Sequence, residues 1–258
     1  ILSSVFNIYF MKLTKYLEFV QADLEPVKSF HIKDELNPKV WEDEEMIPEV
    51  REQLLQIAQD FYDGTDLKAD VQDIILTGSL ANYNWSEKYS DYDLHILIDF
   101  KEVNDDEELV KKYADSVKNI WNGLHDIEIG GYEVEVYIQG IKEPHKASGI
   151  YSVMNDEWNV KPSKKDFEPD EEAIKEKAKS AMMMVDDLEG DIDEDKYEEF
   201  QKKVKKVWDK IKNYRKSGLA TQGGEFSTGN LVFKLLRRNG YIGKVLVLKR
   251  KSYDNQFE

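Results

Sequence analysis

Residues 91–98 read Asp-Tyr-Asp-Leu-His-Ile-Leu-Ile, two carboxylates set at i and i+2 at the head of an apolar run. Such a run is predicted to be a β-strand, and a strand advances about 3.3 Å per residue while alternating faces. Asp91 and Asp93 therefore point the same way, with Cα atoms roughly 6.5–7 Å apart, and His95 shares their face. Two carboxylates so placed can converge on a divalent cation, whose hard character suits oxygen ligands. Upstream, the apolar run Ile74-Ile75-Leu76-Thr77 ends in the dipeptide Gly78-Ser79, separated from Asp91 by the eleven residues 80–90. A Gly-Ser turn offers close backbone approach and a hydroxyl, which suits a triphosphate. Metal and phosphate together point to phosphoryl or nucleotidyl transfer.

These residues resemble the DNA polymerase beta-like nucleotidyltransferase superfamily. Its pattern is an apolar strand, Gly-Ser, a loop of about ten residues, and Asp-x-Asp flanked by apolar residues, with a third carboxylate on a later strand. The spacing is similar to the branch holding oligoadenylate synthetases and related second-messenger synthases, and to the minimal and antibiotic-modifying enzymes. The wording Gly-Ser-Leu-Ala-Asn-Tyr-Asn-Trp (78–85) is also similar to uncharacterised phage nucleotidyltransferases. The resemblance covers residues 50–140, about a third of the chain.

The resemblance implies an α+β fold: a polymerase beta-like core of mixed sheet and flanking helices, followed by a mainly helical C-terminal domain. The third acid belongs on the strand Tyr132–Ile138, which follows the Gly130-Gly131 turn. Its period of two puts Val134, Val136 and Ile138 on one face and Glu133, Glu135 and Tyr137 on the other. Family strands carry one acid between apolar residues near the middle, which favours Glu135, with Glu133 as the alternative. The family more often has Asp there. Mutual repulsion of three acids would retain at least one proton until a cation arrives.

The implied chemistry is the two-metal template, with ions about 3.5–4 Å apart that activate an acceptor hydroxyl and bridge the nucleotide phosphates. Asp91 and Asp93 would bridge the metals, and Glu135 would complete the acceptor side. Gly78, Ser79 and Ser90 are the expected nucleotide-binding residues. Magnesium is the expected ion, with manganese an alternative. The expected activity is transfer of a nucleoside monophosphate from an NTP to a hydroxyl or phosphate acceptor, releasing pyrophosphate. Two other classes stand beside it: a nucleotide-binding module without turnover, and an interaction protein of a phage or host complex.

Composition narrows the setting. The net charge of −16, from 36 Lys/Arg and 52 Asp/Glu, repels polyanions. Long nucleic acid needs basic contacts to its phosphates, so a small-molecule, nucleotide or protein acceptor is favoured. Residues 219–258 hold seven Lys/Arg against three acids, an ordinary charged face or a local exception. Within it, Lys234, Arg237 and Arg238 are candidate triphosphate partners. There is no cysteine, which removes disulfides and thiol chemistry and fits a reducing cytoplasm, that of the host if the chain is viral. No apolar run reaches the length of a membrane span. Ile1–Phe10 lacks the features of a signal peptide, and Met11 offers a natural start, so residues 1–10 are left out of the functional reading.

Three regions are expected: an N-terminal helix (Leu13, Tyr16, Leu17, Val20) and connector over 1–45, the core over 46–142, and the helical part over 143–258. In the core, Pro48 opens a helix with Val50, Leu54, Ile57, Ala58 and Phe61 inward. A second helix carries Leu109, Val110, Tyr113, Val117, Ile120 and Trp121. Beyond the prolines at 144, 162 and 169, helical stripes run from Ala173 to Leu188 and from Tyr197 to Ile211. A third helix is capped by Ser227, and Tyr241–Leu248 is read as a final strand. The acidic stretch 186–195 lacks a clean calcium-loop pattern and reads as a solvated interhelical turn. Tyr83, Trp85 and Tyr89 are expected to anchor the loop 80–90 or to stack on a base. His125 and His145 read as structural.

Overall fold

A computed structural model describes residues 25–144, 147–190, 197–254 and 257. The expected N-terminal helix, His145 and the second half of the acidic stretch lie outside them. The described chain forms two units: residues 31–166, and a helical unit of residues 25–30 with the chain from 167 onward.

The first unit is built on a mixed six-stranded sheet. In chain order it contains the short pair β1 (Trp41–Glu42) and β2 (Glu45–Met46), helix α1 (Pro48–Asp63), strands β3 (Val71–Thr77) and β4 (Tyr92–Ile98), helices α2 (Phe100–Val103) and α3 (Glu107–Leu124), and strands β5 (Glu128–Ile129), β6 (Tyr132–Gly140), β7 (Ile150–Ser152) and β8 (Glu157–Val160). The sheet order is β5-β6-β4-β3-β7-β8, with β4 and β6 parallel and the other neighbours antiparallel.

Alternation sets the faces. Tyr92, Leu94, Ile96 and Ile98 of β4 are buried, as are Tyr132, Val134, Val136 and Ile138 of β6. They share one core with Val50, Leu54, Ala58 and Phe61 of α1, an i, i+4, i+8, i+11 stripe. Pro48 occupies the start of that helix, where a missing N–H costs nothing. Asp106 caps α3 by accepting from the Leu109 amide at 3.1 Å, with Glu107 and Glu108 favourably placed in the first turn. The buried face of α3 is narrower than its sequence suggested. Val110 and Ala114 are buried, whereas Leu109 and Ile120 are 56% and 61% exposed. The apolar arc spans more of the helix surface than the sheet beneath it covers.

The sheet also runs further along the chain than residue 142. The strands β7 and β8 are too short to show a period, and they are held by aromatics. Trp41 stacks on Trp158 at 4.6 Å and meets Tyr151 edge-on at 4.9 Å. Arg51 of α1 donates to the carbonyls of Val153 and Met154. The division therefore falls between residues 166 and 167 rather than at 142.

The second unit contains a 3-10 turn (Glu25–Phe30) and helices α4 (Glu171–Gly190), α5 (Tyr197–Leu219), α6 (Thr228–Arg238) and α7 (Tyr241–Asp254). Val27 and Phe30 of the turn share one buried core with residues of all four helices, among them Met182 of α4, Val204 of α5, Leu235 of α6 and Leu248 of α7. Residues 25–30 thus belong with the helices and not with a separate N-terminal connector. Ser227 caps α6 through the Asn230 amide, and Arg237 and Arg238 sit in the last turn, where the helix dipole favours cations.

The expected final strand is a helix. Val245-Leu246-Val247-Leu248 looks like a strand in sequence, yet only Val245 and Leu248 are buried, three positions apart on one helical face. Tyr241 and Lys244 of α7 both reach the Asp186 carboxylate of α4, at 2.9 and 3.0 Å. Among the described residues, no helix is long and apolar enough to cross a membrane.

Candidate metal centre

The register of three strands brings the acids together. β3 runs antiparallel to β4 with Thr77 opposite Asp93, and β6 runs parallel to β4 with Glu135 opposite Asp93. Asp93 thus lies between the end of β3 and the middle of β6. Asp91 comes one residue before β4 begins and continues its alternation, so both aspartates lie on the half-exposed face. Asp91, Asp93 and Glu135 each place a carboxylate oxygen within 4.8 Å of the others'. Three such oxygens from half-buried groups form a donor set suited to a hard divalent cation. Glu133 is exposed, pairs in register with Glu128 at the sheet edge, and stands outside the cluster.

Gly78 is fitted to this arrangement in two ways. Its φ of +76° lies in the left-handed region, which L side chains adopt only at a cost. A Cβ built there would sit 1.9 Å from Asp93 Oδ2. The β3 turn can therefore lie directly against the central carboxylate only because residue 78 has no side chain.

Ser79 and Ser90 also meet. Their hydroxyl oxygens are 2.7 Å apart, and Ser90 Oγ accepts from the Ser86 amide at 2.9 Å. The hydroxyls thus close the loop between the two halves of the motif, tying the residue after Gly78 to the residue before Asp91. Further anchors follow along the loop. Trp41 Nε1 donates to the Leu80 carbonyl at 2.7 Å, Asn82 donates to Ser148, and Trp85 Nε1 donates to the Glu35 carbonyl at 3.0 Å. Tyr83 packs against the sheet core and Trp85 is buried, which makes these two loop anchors. Tyr89 has Lys88 Nζ 5.3 Å from its ring centroid. Replacing the buried Ser90 by alanine leaves the Ser86 amide without its acceptor. The expected loss is about 1–3 kcal/mol of stability, read as a lower urea midpoint at unchanged slope. An unchanged midpoint would show that the hydroxyl pair does not hold the loop.

In the sequence, Tyr137 falls on the acid face without an evident task. In the structure its hydroxyl donates to Glu135 Oε2. Burial raises its pKa well above that of an ordinary phenol, with the Glu135 hydrogen bond and the charges of Asp93, Glu135 and Asp91 adding to the effect. An aromatic hydroxyl two residues from an acid on the same strand face was the available signal. His95 stacks on the Tyr137 ring, with centroids 4.7 Å apart and planes 15° from parallel. His125 instead stacks on Trp121 at 3.9 Å beyond the end of α3.

Lys234, Arg237 and Arg238 lie on α6 of the helical unit. Burial lowers the Lys234 pKa, with Arg238, Arg237 and Arg215 adding to the effect and Glu225 opposing it. Arg238 donates to Ser29 and lies 4.5 Å over the Phe30 ring, so it also has structural partners.

No protein-family model, no curated protein and no solved structure matches the chain.

Proposed function

We propose that the protein is a metal-dependent nucleotidyltransferase of the polymerase beta-like kind, moving a nucleoside monophosphate from an NTP to a hydroxyl or phosphate acceptor and releasing pyrophosphate. The observation that carries this reading is the three-acid cluster, with Asp93 backed directly by the Gly78 turn. Asp91, Asp93 and Glu135 would hold the cation, most naturally Mg2+, with Mn2+ as an alternative. A bound divalent cation supplies charge stabilisation to the transferring phosphoryl group and acidity to an acceptor hydroxyl.

The chain's own contribution is placement. The Gly78-Ser79 turn gives the triphosphate a close backbone approach beside the acids. The Ser79–Ser90 bond fixes that turn relative to Asp91 before substrate arrives, which lowers the ordering cost at binding. The acidic field of the chain favours a small-molecule, nucleotide or protein acceptor over a long polyanion.

Incubation with Mg2+, each of ATP, GTP, CTP and UTP, and a panel of acceptors tests the reading. The expected result is pyrophosphate release with at least one NTP, lost in the Asp91→Ala/Asp93→Ala variant. Nucleotide binding without release under any combination would overturn the enzymatic reading in favour of a binding module. Release undiminished in the double variant would remove Asp91 and Asp93 from the chemistry and overturn the reading.

A further inference from the structure

Glu135 is the longest of the three acids, and it faces two like charges. A long glutamate side chain loses rotamer freedom when it is fixed, so holding it in one place is opposed. Repulsion from Asp91 and Asp93, with carboxylate oxygens within 4.8 Å, drives it further toward solvent. Something must hold its carboxylate inward. Tyr137 stands two residues along β6 on the same face and gives its hydroxyl hydrogen to Glu135 Oε2.

The tyrosine is itself fixed. His95 is opposite Tyr137 in the β4–β6 register and stacks on its ring. Lys118 of α3 places its ammonium 5.1 Å from the ring centroid, an attraction between cation and ring quadrupole. The half-buried phenol therefore has little freedom to follow a wandering carboxylate.

We infer that Tyr137 is a positioning residue for the candidate metal centre, holding one oxygen of Glu135 so that the carboxylate stays beside Asp91 and Asp93. The inference rests on the reading of those three acids as a cation site. Outer partners that orient metal-binding carboxylates typically contribute about 10–100-fold to metal affinity. Tyr137 has that relation to Glu135, and His95 and Lys118 contact its ring.

The test is Mn2+ affinity, measured by electron paramagnetic resonance on the wild type, Tyr137→Phe, Glu135→Ala and the double variant, with thermal unfolding as a control for folding. Tyr137→Phe keeps the ring and its stacking partners and removes only the hydroxyl. The expected result is a loss of affinity of about tenfold or more in the single variant. In the Glu135→Ala background the same change should have no further effect, because the group it positions is gone. Wild-type affinity in Tyr137→Phe would overturn the inference while leaving the cation site intact. An equal loss in both backgrounds would overturn it too, since that pattern marks a structural effect independent of Glu135. No Mn2+ binding by the wild type would overturn the cation-site reading and this inference together.

Discussion

Asp93→Asn is expected to abolish the Mg2+-dependent stabilisation that the proposed cation site predicts, and with it the proposed nucleotidyl transfer, while leaving the metal-free fold slightly more stable. Asp93 is the central acid of the cluster: it lies opposite Thr77 on one side and Glu135 on the other, and it rests against Gly78. No neighbouring acid can take over that position without a change of strand register. In the wild type, a cation at a hundred times its dissociation constant adds about 2.7 kcal/mol. For a protein of this size that appears as a rise of several degrees in the unfolding midpoint. The asparagine variant should show none of it. Without metal, the substitution removes an ionisable acid from a cluster of like charges held close together, a relief of up to about 1 kcal/mol at a half-exposed site. Opposite signs with and without metal distinguish a functional charge cluster from acids that merely decorate a strand. A variant that is less stable in both conditions, or one that still responds to Mg2+, would contradict the assignment.

Gly78→Ala is expected to have the other large effect, through geometry rather than charge. The left-handed backbone there costs an alanine about 1–2 kcal/mol. The new methyl would also lie 1.9 Å from Asp93 Oδ2 and 2.9 Å from Asp93 Cγ. The cheapest relief is rotation of the Asp93 side chain, since the obstructing atoms are its carboxylate rather than backbone. That rotation changes how Asp93 presents its oxygens beside Asp91 and Glu135. The protein should therefore fold with a modest loss of stability, of order 1–3 kcal/mol. On the proposed function, metal affinity should fall at least tenfold, and turnover by about a hundredfold, the scale of a misplacement of about 1 Å. Isothermal titration with Mn2+, alongside urea unfolding, separates the two. Normal affinity in a correctly folded variant would show that Gly78 serves the turn alone.

The parts of this site that were legible in the sequence are those set by the alternation of strands. Asp91, Asp93 and Glu135 share a face because odd and even positions separate on β4 and β6, and that separation needs no knowledge of the neighbouring strands. The preference for Glu135 over Glu133 came from the resemblance, since alternation alone leaves it open and the answer depends on register: pairing of Glu135 with Asp93 places it inward, and pairing of Glu133 with Glu128 leaves it at the sheet edge. The Ser79–Ser90 contact, 11 residues apart in sequence, likewise exists only once the loop has closed.

Local patterns misled where packing decides. Val245–Leu248 is as apolar as a strand, but its helical neighbours bury only two of its four side chains. Leu109 and Ile120 extended the apolar stripe of α3 past the arc that the sheet covers. The strands β7 and β8 went unseen because three or four residues carry too little periodicity, and their placement depends on Trp41 and Arg51 from elsewhere in the unit. The α+β class and the largely helical second unit were legible from periodicity; the boundary between the units was not.

An anomalous difference map from crystals grown with Mn2+ tests the central claim most directly. The predicted result is a peak bound by carboxylate oxygens of Asp91, Asp93 and Glu135, at the ~2 Å typical of small hard cations. A map with no peak at these three acids, under Mn2+ concentrations that saturate binding in solution, would contradict it.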